Sequence, residues 1–209
     1  MIYTVSKQAW FLLILLLLLS GCSTNQYNNI PPQTQTQTWT DSLINLSDFS
    51  IVSQQAIKSL KEKDMDTLSK LIWKDWVTFS AYNNINSWDK KFSQDEIKNW
   101  FSNTEIINRW NYDWSWEPIN LSFKDYFDKF VYDVDFVSAP EKVVNKIIQR
   151  WNIINNIQFF YPDSQTIEYY FSWFDAKYQW MDRKSLTLIL RETWNNRYLI
   201  GISHWQWTI

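Results

Sequence analysis

The chain has 209 residues, with 20 Lys and Arg against 22 Asp and Glu and a formal net charge of −2. That balance excludes partners held by bulk positive charge, nucleic acid foremost, and excludes a polybasic membrane patch. A single Cys and a single His exclude an intrachain disulfide and a Cys/His zinc cluster, and no Gly-rich phosphate loop is present, so no cofactor or metal is expected.

The first element is an apolar run from Phe11 to Leu19, closed by Leu19-Ser20-Gly21-Cys22. A membrane span needs ~20 apolar residues, whereas a signal-peptide core needs only ~7–15. Lys7 supplies the positive charge before it. A small-residue site followed at once by Cys has the form of a bacterial lipobox, in which the Cys thiol receives a diacylglyceryl group. Residues 1–21 are therefore assigned as a lipoprotein signal peptide and Cys22 as the lipidated residue. The expected location is the extracytoplasmic side of the cell membrane, with the membrane itself as partner through the anchor. An uncleaved anchor and an ordinary secretory signal are the other two readings of the run. One acyl chain holds a protein only marginally, and a diacylglyceryl group supplies two. Residues 22–45 form the lipidated Cys and a polar tether: STNQYNNIPPQTQTQTWTDS offers no apolar face to offset the entropy of ordering.

Residues 46–209 are expected to form one α+β domain. Ser50 to Ile72 reads as helical, with Ile51, Ala56, Ile57 and Leu60 on one face and Lys58, Lys61, Glu62 and Lys63 on the other. Asp64 divides it by capping a second helix from Met65 to Ile72. Val77 to Tyr82 alternates as a half-buried strand. Ser93-Gln94-Asp95-Glu96 is a capping box opening a helix to about Ser102. Ser122 starts another helix carrying Phe123, Tyr126, Phe127 and Phe130, and residues 141–150 are expected to be irregular or helical. The last third is β-rich. Ile167, Tyr169 and Phe171 share one strand face, Leu186, Leu188 and Leu190 a second, and Tyr198, Ile200, Ile202 and His204 a third. The last two strands form a hairpin across residues 192–196. Helices followed by an antiparallel meander give N-terminal helices packed on a curved antiparallel sheet.

The composition carries an anomaly. There are 15 Trp and 2 Gly, where average usage would give Gly about 7%. Trp114 and Trp116 sit in Tyr112-Asp113-Trp114-Ser115-Trp116-Glu117-Pro118, whose other residues demand a turn. Trp194 lies in the expected hairpin turn, where Gly or Asn suits positive φ. Trp173 and Trp180 bracket another irregular stretch. The pattern is that of UGA codons translated as Trp but read as Gly by the source organism. A truly Trp-rich wall binder with exposed aromatic platforms is the alternative.

Two strings carry a resemblance. Leu68 through Trp76-Val77-Thr78-Phe79-Ser80-Ala81-Tyr82 is similar to a helix followed by G-V-R-F-S-P-Y in uncharacterised secreted bacterial lipoproteins. The stretches Phe130–Phe136, Asn152–Ile157 and His204–Ile209 resemble the same group. In that pattern Trp76, Trp110, Trp114, Trp116, Trp151, Trp173 and Trp180 fall where Gly is expected, and Trp207 matches a Trp. The order of elements also resembles the NTF2-like (cystatin-like) superfamily. That likeness implies a cone of curved sheet around N-terminal helices, in some members with a pocket that does acid–base chemistry. The lipoprotein group supplies no activity to carry over.

Acid–base chemistry in such a pocket needs a base inside an apolar cavity. His204 is the leading weak candidate, being in phase with apolar strand residues. Asp182 and Tyr170 follow, and Asp133 and Asp135, two apart, would share a strand face. The aromatic residues from Tyr126 to Phe136 and from Phe159 to Tyr161 read mainly as core. The expectation is a non-catalytic module binding a small ligand or an envelope protein. A pocket enzyme of hydrolase or isomerase type and a cell-wall binding module are the rivals.

Overall fold

A computed structural model describes residues 47–207 apart from 74, 113–114, 151–153 and 180. The assigned signal peptide, Cys22 and the whole tether region lie outside the described residues, as do Trp114, Trp151 and Trp180.

Two helices open the domain. Helix α1, Phe49–Glu62, begins where the Asp48 carboxylate accepts from the Ser50 and Ile51 amides at 2.7 and 3.3 Å, and ends at Lys63 in the left-handed region. Asp64 caps α2, Met65–Leu71, through the Thr67 amide at 3.0 Å. Val52, Ala56, Ile57 and Leu60 of α1 are buried, and so are Leu68 and Leu71 of α2. Val52 takes the core position expected for Ile51, which is only half-buried. The Ser93–Glu96 capping box is present and opens α3, Gln94–Lys98, which tightens into a 3-10 turn at Trp100–Ser102. Ser122 caps α4, Phe123–Phe130, through the Asp125 amide.

The main sheet has six strands in the order β2-β1-β8-β7-β6-β5. They are β1 Val77–Ser80, β2 Lys91–Phe92, β5 Glu141–Val144, β6 Ser164–Phe171, β7 Lys184–Thr193 and β8 Asn196–Gln206. All neighbours are antiparallel except β1 and β8, which run parallel. Between them in sequence, β3 Ile106–Asn111 and β4 Pro118–Ser122 form a separate hairpin, and a short helix α5 spans Ile157–Phe160. The α+β class with helices on a curved, mostly antiparallel sheet is what the sequence led one to expect. Residues 141–144 correct the expectation of an irregular or helical segment. They add an edge strand to β6, where the alternation of half-buried and exposed residues suits one covered face.

The helix-facing side of the sheet packs against fully buried rings: Phe79, Phe92, Trp100, Phe123, Tyr126, Phe127, Phe130 and Phe136. Trp100 lies 4.8 Å from both Phe92 and Phe123, edge-on to each, and its indole N–H donates to the Phe123 carbonyl at 2.8 Å. Each such side chain contributes ~1.5–3 kcal/mol of apolar burial. Aromatic rings therefore fill the space between helices and sheet.

Strand β8 departs from the expected alternation. Ile189 pairs with Gly201 but Leu190 pairs with Leu199, so Ile200 is an inserted bulge residue. An extra residue exchanges the two faces of everything beyond it. Leu199 accordingly joins Ile202 in the main core, and Ile200 joins Ile189, Ile85, Ile157 and Tyr161 in a smaller core on the opposite face. Gly201 permits this: a Cβ there would stand 2.9 Å from Ile189 Cδ1.

Candidate functional site

His204 stays on the helix-facing side, opposite Leu186 in the register of β7 and β8. It is fully buried, edge-on to Phe130 and Phe136 at 6.3 and 6.1 Å. Its Nε2 lies 3.0 Å from Oδ1 of Asp133, in the loop after α4, and the Lys184 ammonium of β7 pairs with Oδ2 of the same carboxylate. The other ring nitrogen, Nδ1, has no hydrogen-bond partner among the described residues. Burial pushes the Asp133 carboxyl up, but the His204 ring and the Lys184 ammonium outweigh it and hold the group below its ordinary value. Chemically, this is a carboxylate clamped between two strands and a loop.

Asp135 does not share a face with Asp133. The segment is a loop leading into the 3-10 turn Phe136–Ser138 rather than a strand. Asp133 turns inward, while Asp135 stays exposed and binds Lys61 at 2.7 Å and the Tyr132 hydroxyl at 2.9 Å. Asp182 staples its own loop, accepting from the Phe174 and Asp175 amides at 3.0 and 2.6 Å. Burial raises its pKa, yet these amides outweigh that and lower it. Tyr170 lies on the opposite face of the sheet from its neighbour Tyr169, a core residue. There the Arg150 guanidinium sits 3.4 Å from its ring centre. Arg150 is itself held by Glu141 at 2.7 Å and Glu168 at 3.0 Å. Of the sequence candidates, then, only His204 and Asp133 meet. Lys184 went unnoticed because nothing in the sequence separates it from other strand-end lysines.

A cleft of about 220 Å³ opens on the other face of the sheet, near the β7–β8 turn. Its walls are Trp73, Trp76, Arg191, Thr193, Tyr198 and Ile200, with exposed Asp75 on the rim. Trp73 meets Tyr198 edge-on at 4.9 Å. Arg191 lies directly across from Tyr198 in the ladder, and its guanidinium carbon is 5.9 Å from the Tyr161 ring centre. Sequence reading missed this cleft, since it joins the end of α2 to two strands more than 110 residues away. Among the described residues, no group of three or more His, Cys, Asp and Glu could hold a metal ion.

The tryptophans fall into two environments. Trp194 and Asn195 are the two turn residues between the paired Thr193 and Asn196, at φ 49° and 65°, and Trp194 is 85% exposed. Positive φ at both positions marks a type I′ turn, which favours Asn-Gly and similar pairs. Trp116 has φ 59° and is 79% exposed. Trp110 differs: buried, stacked 4.8 Å from Tyr126, it donates from its indole N–H to Asp89 at 2.9 Å. The glycine that the resemblance placed at residue 110 would lack all of these contacts.

No family model matches this chain. No curated protein matches it either. Among solved structures it is similar to an NTF2-like protein from Cytophaga hutchinsonii, at 10% identity and a TM-score of 0.33, covering 73% of this chain and 90% of that one. It is also similar to a DUF4783 family protein from Bacteroides ovatus, at 10% identity and a TM-score of 0.27, covering 72% and 90%.

Proposed function

We propose that this protein is a lipid-anchored extracytoplasmic binding module, held through Cys22 and presenting its domain to a small ligand or an envelope protein. The anchor rests on Leu19-Ser20-Gly21-Cys22 closing an apolar run too short to span a bilayer. The choice of binding over acid–base chemistry rests on one observation. The histidine that could serve as a base is sealed between Phe130 and Phe136 with its Nε2 committed to Asp133. A general base must instead reach the proton it abstracts. The experiment is radiolabelled palmitate feeding of cells expressing the full chain, followed by membrane fractionation. Label should enter the chain and vanish in Cys22→Ala, which should leave the membrane fraction. An unlabelled chain, or a variant that fractionates unchanged, overturns the anchor.

The same reading includes recoding: some tryptophans, Trp116 and Trp194 first among them, are glycine in the source organism. Left-handed backbone costs a non-glycine residue roughly 1–2 kcal/mol, and both indoles stand in solvent with little packing to offset it. Intact mass spectrometry of the native protein tests this, and a mass equal to that of the written sequence after processing overturns it.

A further inference from the structure

We infer that the cleft beside the β7–β8 turn is a binding site for a small monocarboxylate carried on a six-membered ring, with Arg191 as its anchor. This deepens the binding-module reading by naming its site and ligand class. Arg191 is partly buried in the cleft, and among the described residues it forms no ion pair. Its neighbours in kind are engaged: Arg197 binds Glu192, Gln165 and the Ser47 carbonyl, and Arg150 binds Glu141 and Glu168. A guanidinium without a carboxylate, lining a concave site, presents the planar fork that matches one.

The remaining wall selects the body of the ligand. Tyr198 lies across the ladder from Arg191, Trp73 stands edge-on to Tyr198, and Ile200 also lines the cleft, so a ring would meet aromatic and aliphatic surface. Thr193, two residues along β7 from Arg191, adds a hydroxyl on the same face. Asp75 on the rim repels a bound anion in proportion to its charge, which disfavours the phosphate dianion against a singly charged carboxylate. The cleft, at about 220 Å³, holds one ring and its carboxylate rather than a chain. Arg191, Thr193 and Tyr198 sit on β7 and β8, so the anchor is independent of whether residue 76 is Trp or Gly; glycine there would widen the entrance.

The test is calorimetric titration of the full chain with benzoate and with glucuronate, beside benzyl alcohol and glucose as uncharged counterparts and inorganic phosphate as the competing anion. At least one carboxylate should bind saturably, about tenfold or more tighter than its uncharged counterpart and than phosphate. Benzoate alone would identify an aromatic acid, and glucuronate alone an acidic sugar. Arg191→Gln should weaken binding at least tenfold with its unfolding midpoint unchanged, and Arg191→Lys should restore part of it. Should Arg191→Gln fail to fold, the comparison of charged and uncharged ligands on the unmodified chain still decides. Absence of saturable binding at millimolar ligand, equal binding of the uncharged counterparts or of phosphate, or a folded Arg191→Gln with unchanged affinity overturns the site. Cys22→Ala should bind as the parent does, so a failed anchor and a failed cleft give different results.

Discussion

Asp133 and His204 stand 71 residues apart in sequence, and their Oδ1 and Nε2 atoms lie 3.0 Å apart in the fold. The carboxylate also holds Lys184, so one side chain ties the loop after α4 to both β7 and β8. Removing one partner of a buried charged pair costs ~3–5 kcal/mol. Here Lys184 is 24% exposed and partly hydrated, so Asp133→Asn should cost about 2–3 kcal/mol by urea unfolding. His204→Leu should cost less, because Asp133 and Lys184 remain paired and the unpartnered Nδ1 is removed. A larger loss for His204→Leu than for Asp133→Asn would contradict this ranking.

The acid limb of stability follows from the same carboxylate. The folded-state pKa of Asp133 is depressed below its ordinary value of 3.8. Its contribution is therefore fully present above that value and is lost as pH falls through the folded one. Asp128 and Glu96 act in the same direction: burial raises each, but lysine partners lower Asp128 and Ser93 and Lys90 lower Glu96. Midpoints recorded from neutral pH down to strong acid should drop for the parent chain, and less steeply for Asp133→Asn.

Asp89 carries the opposite sign. Burial raises its pKa, although the Asn86 amide, the Trp110 indole and the Ser80 hydroxyl oppose that shift. Its stabilising protonation is complete below 3.8 and is lost as pH rises through the raised folded value. The parent chain should therefore gain on Asp89→Asn as pH falls towards 3.8, read as the difference between their unfolding midpoints.

Glycine substitutions should separate the tryptophans. Trp194→Gly and Trp116→Gly relieve left-handed backbone at exposed positions and should each stabilise by about 1 kcal/mol. Trp110→Gly empties a buried site and strands the Asp89 oxygen that accepts from the indole, at a cost of at least ~3 kcal/mol. Chemical unfolding of the three variants reads this directly, and equal signs at 110 and 194 would refute the distinction.

The aromatic core sets the scale of the largest effects. Phe92→Ala removes a fully buried ring in contact with Phe79, Trp100 and Phe123 and should cost ~3–5 kcal/mol in urea.

Elements with local signals were legible in the sequence. Asp64, Ser93 with Glu96, and Ser122 each mark a helix start by a bond made within three residues. Strands β6, β7 and β8 are eight or more residues long and carry alternating apolar residues that mark them, although the bulge at Ile200 interrupts the alternation in β8. The edge strand β5 and the β3–β4 hairpin are short and take their identity from a neighbouring strand. The bulge at Ile200 is set by how Ile189 packs on Gly201, which periodicity does not record. For the candidate site, His204 was legible as an inward residue, but the carboxylate that meets it depended on the loop after α4. The cleft depended on long-range contact entirely.

Placing the final strand between β1 and β7 has a consequence for biogenesis. Until residues 196–206 leave the ribosome, β1 with β2 and β7 with β6 are two unjoined half-sheets, and His204 is not there to meet Asp133. The domain therefore closes only once β8 has been made, and a chain that stops before residue 196 should fail to fold altogether rather than lose an end.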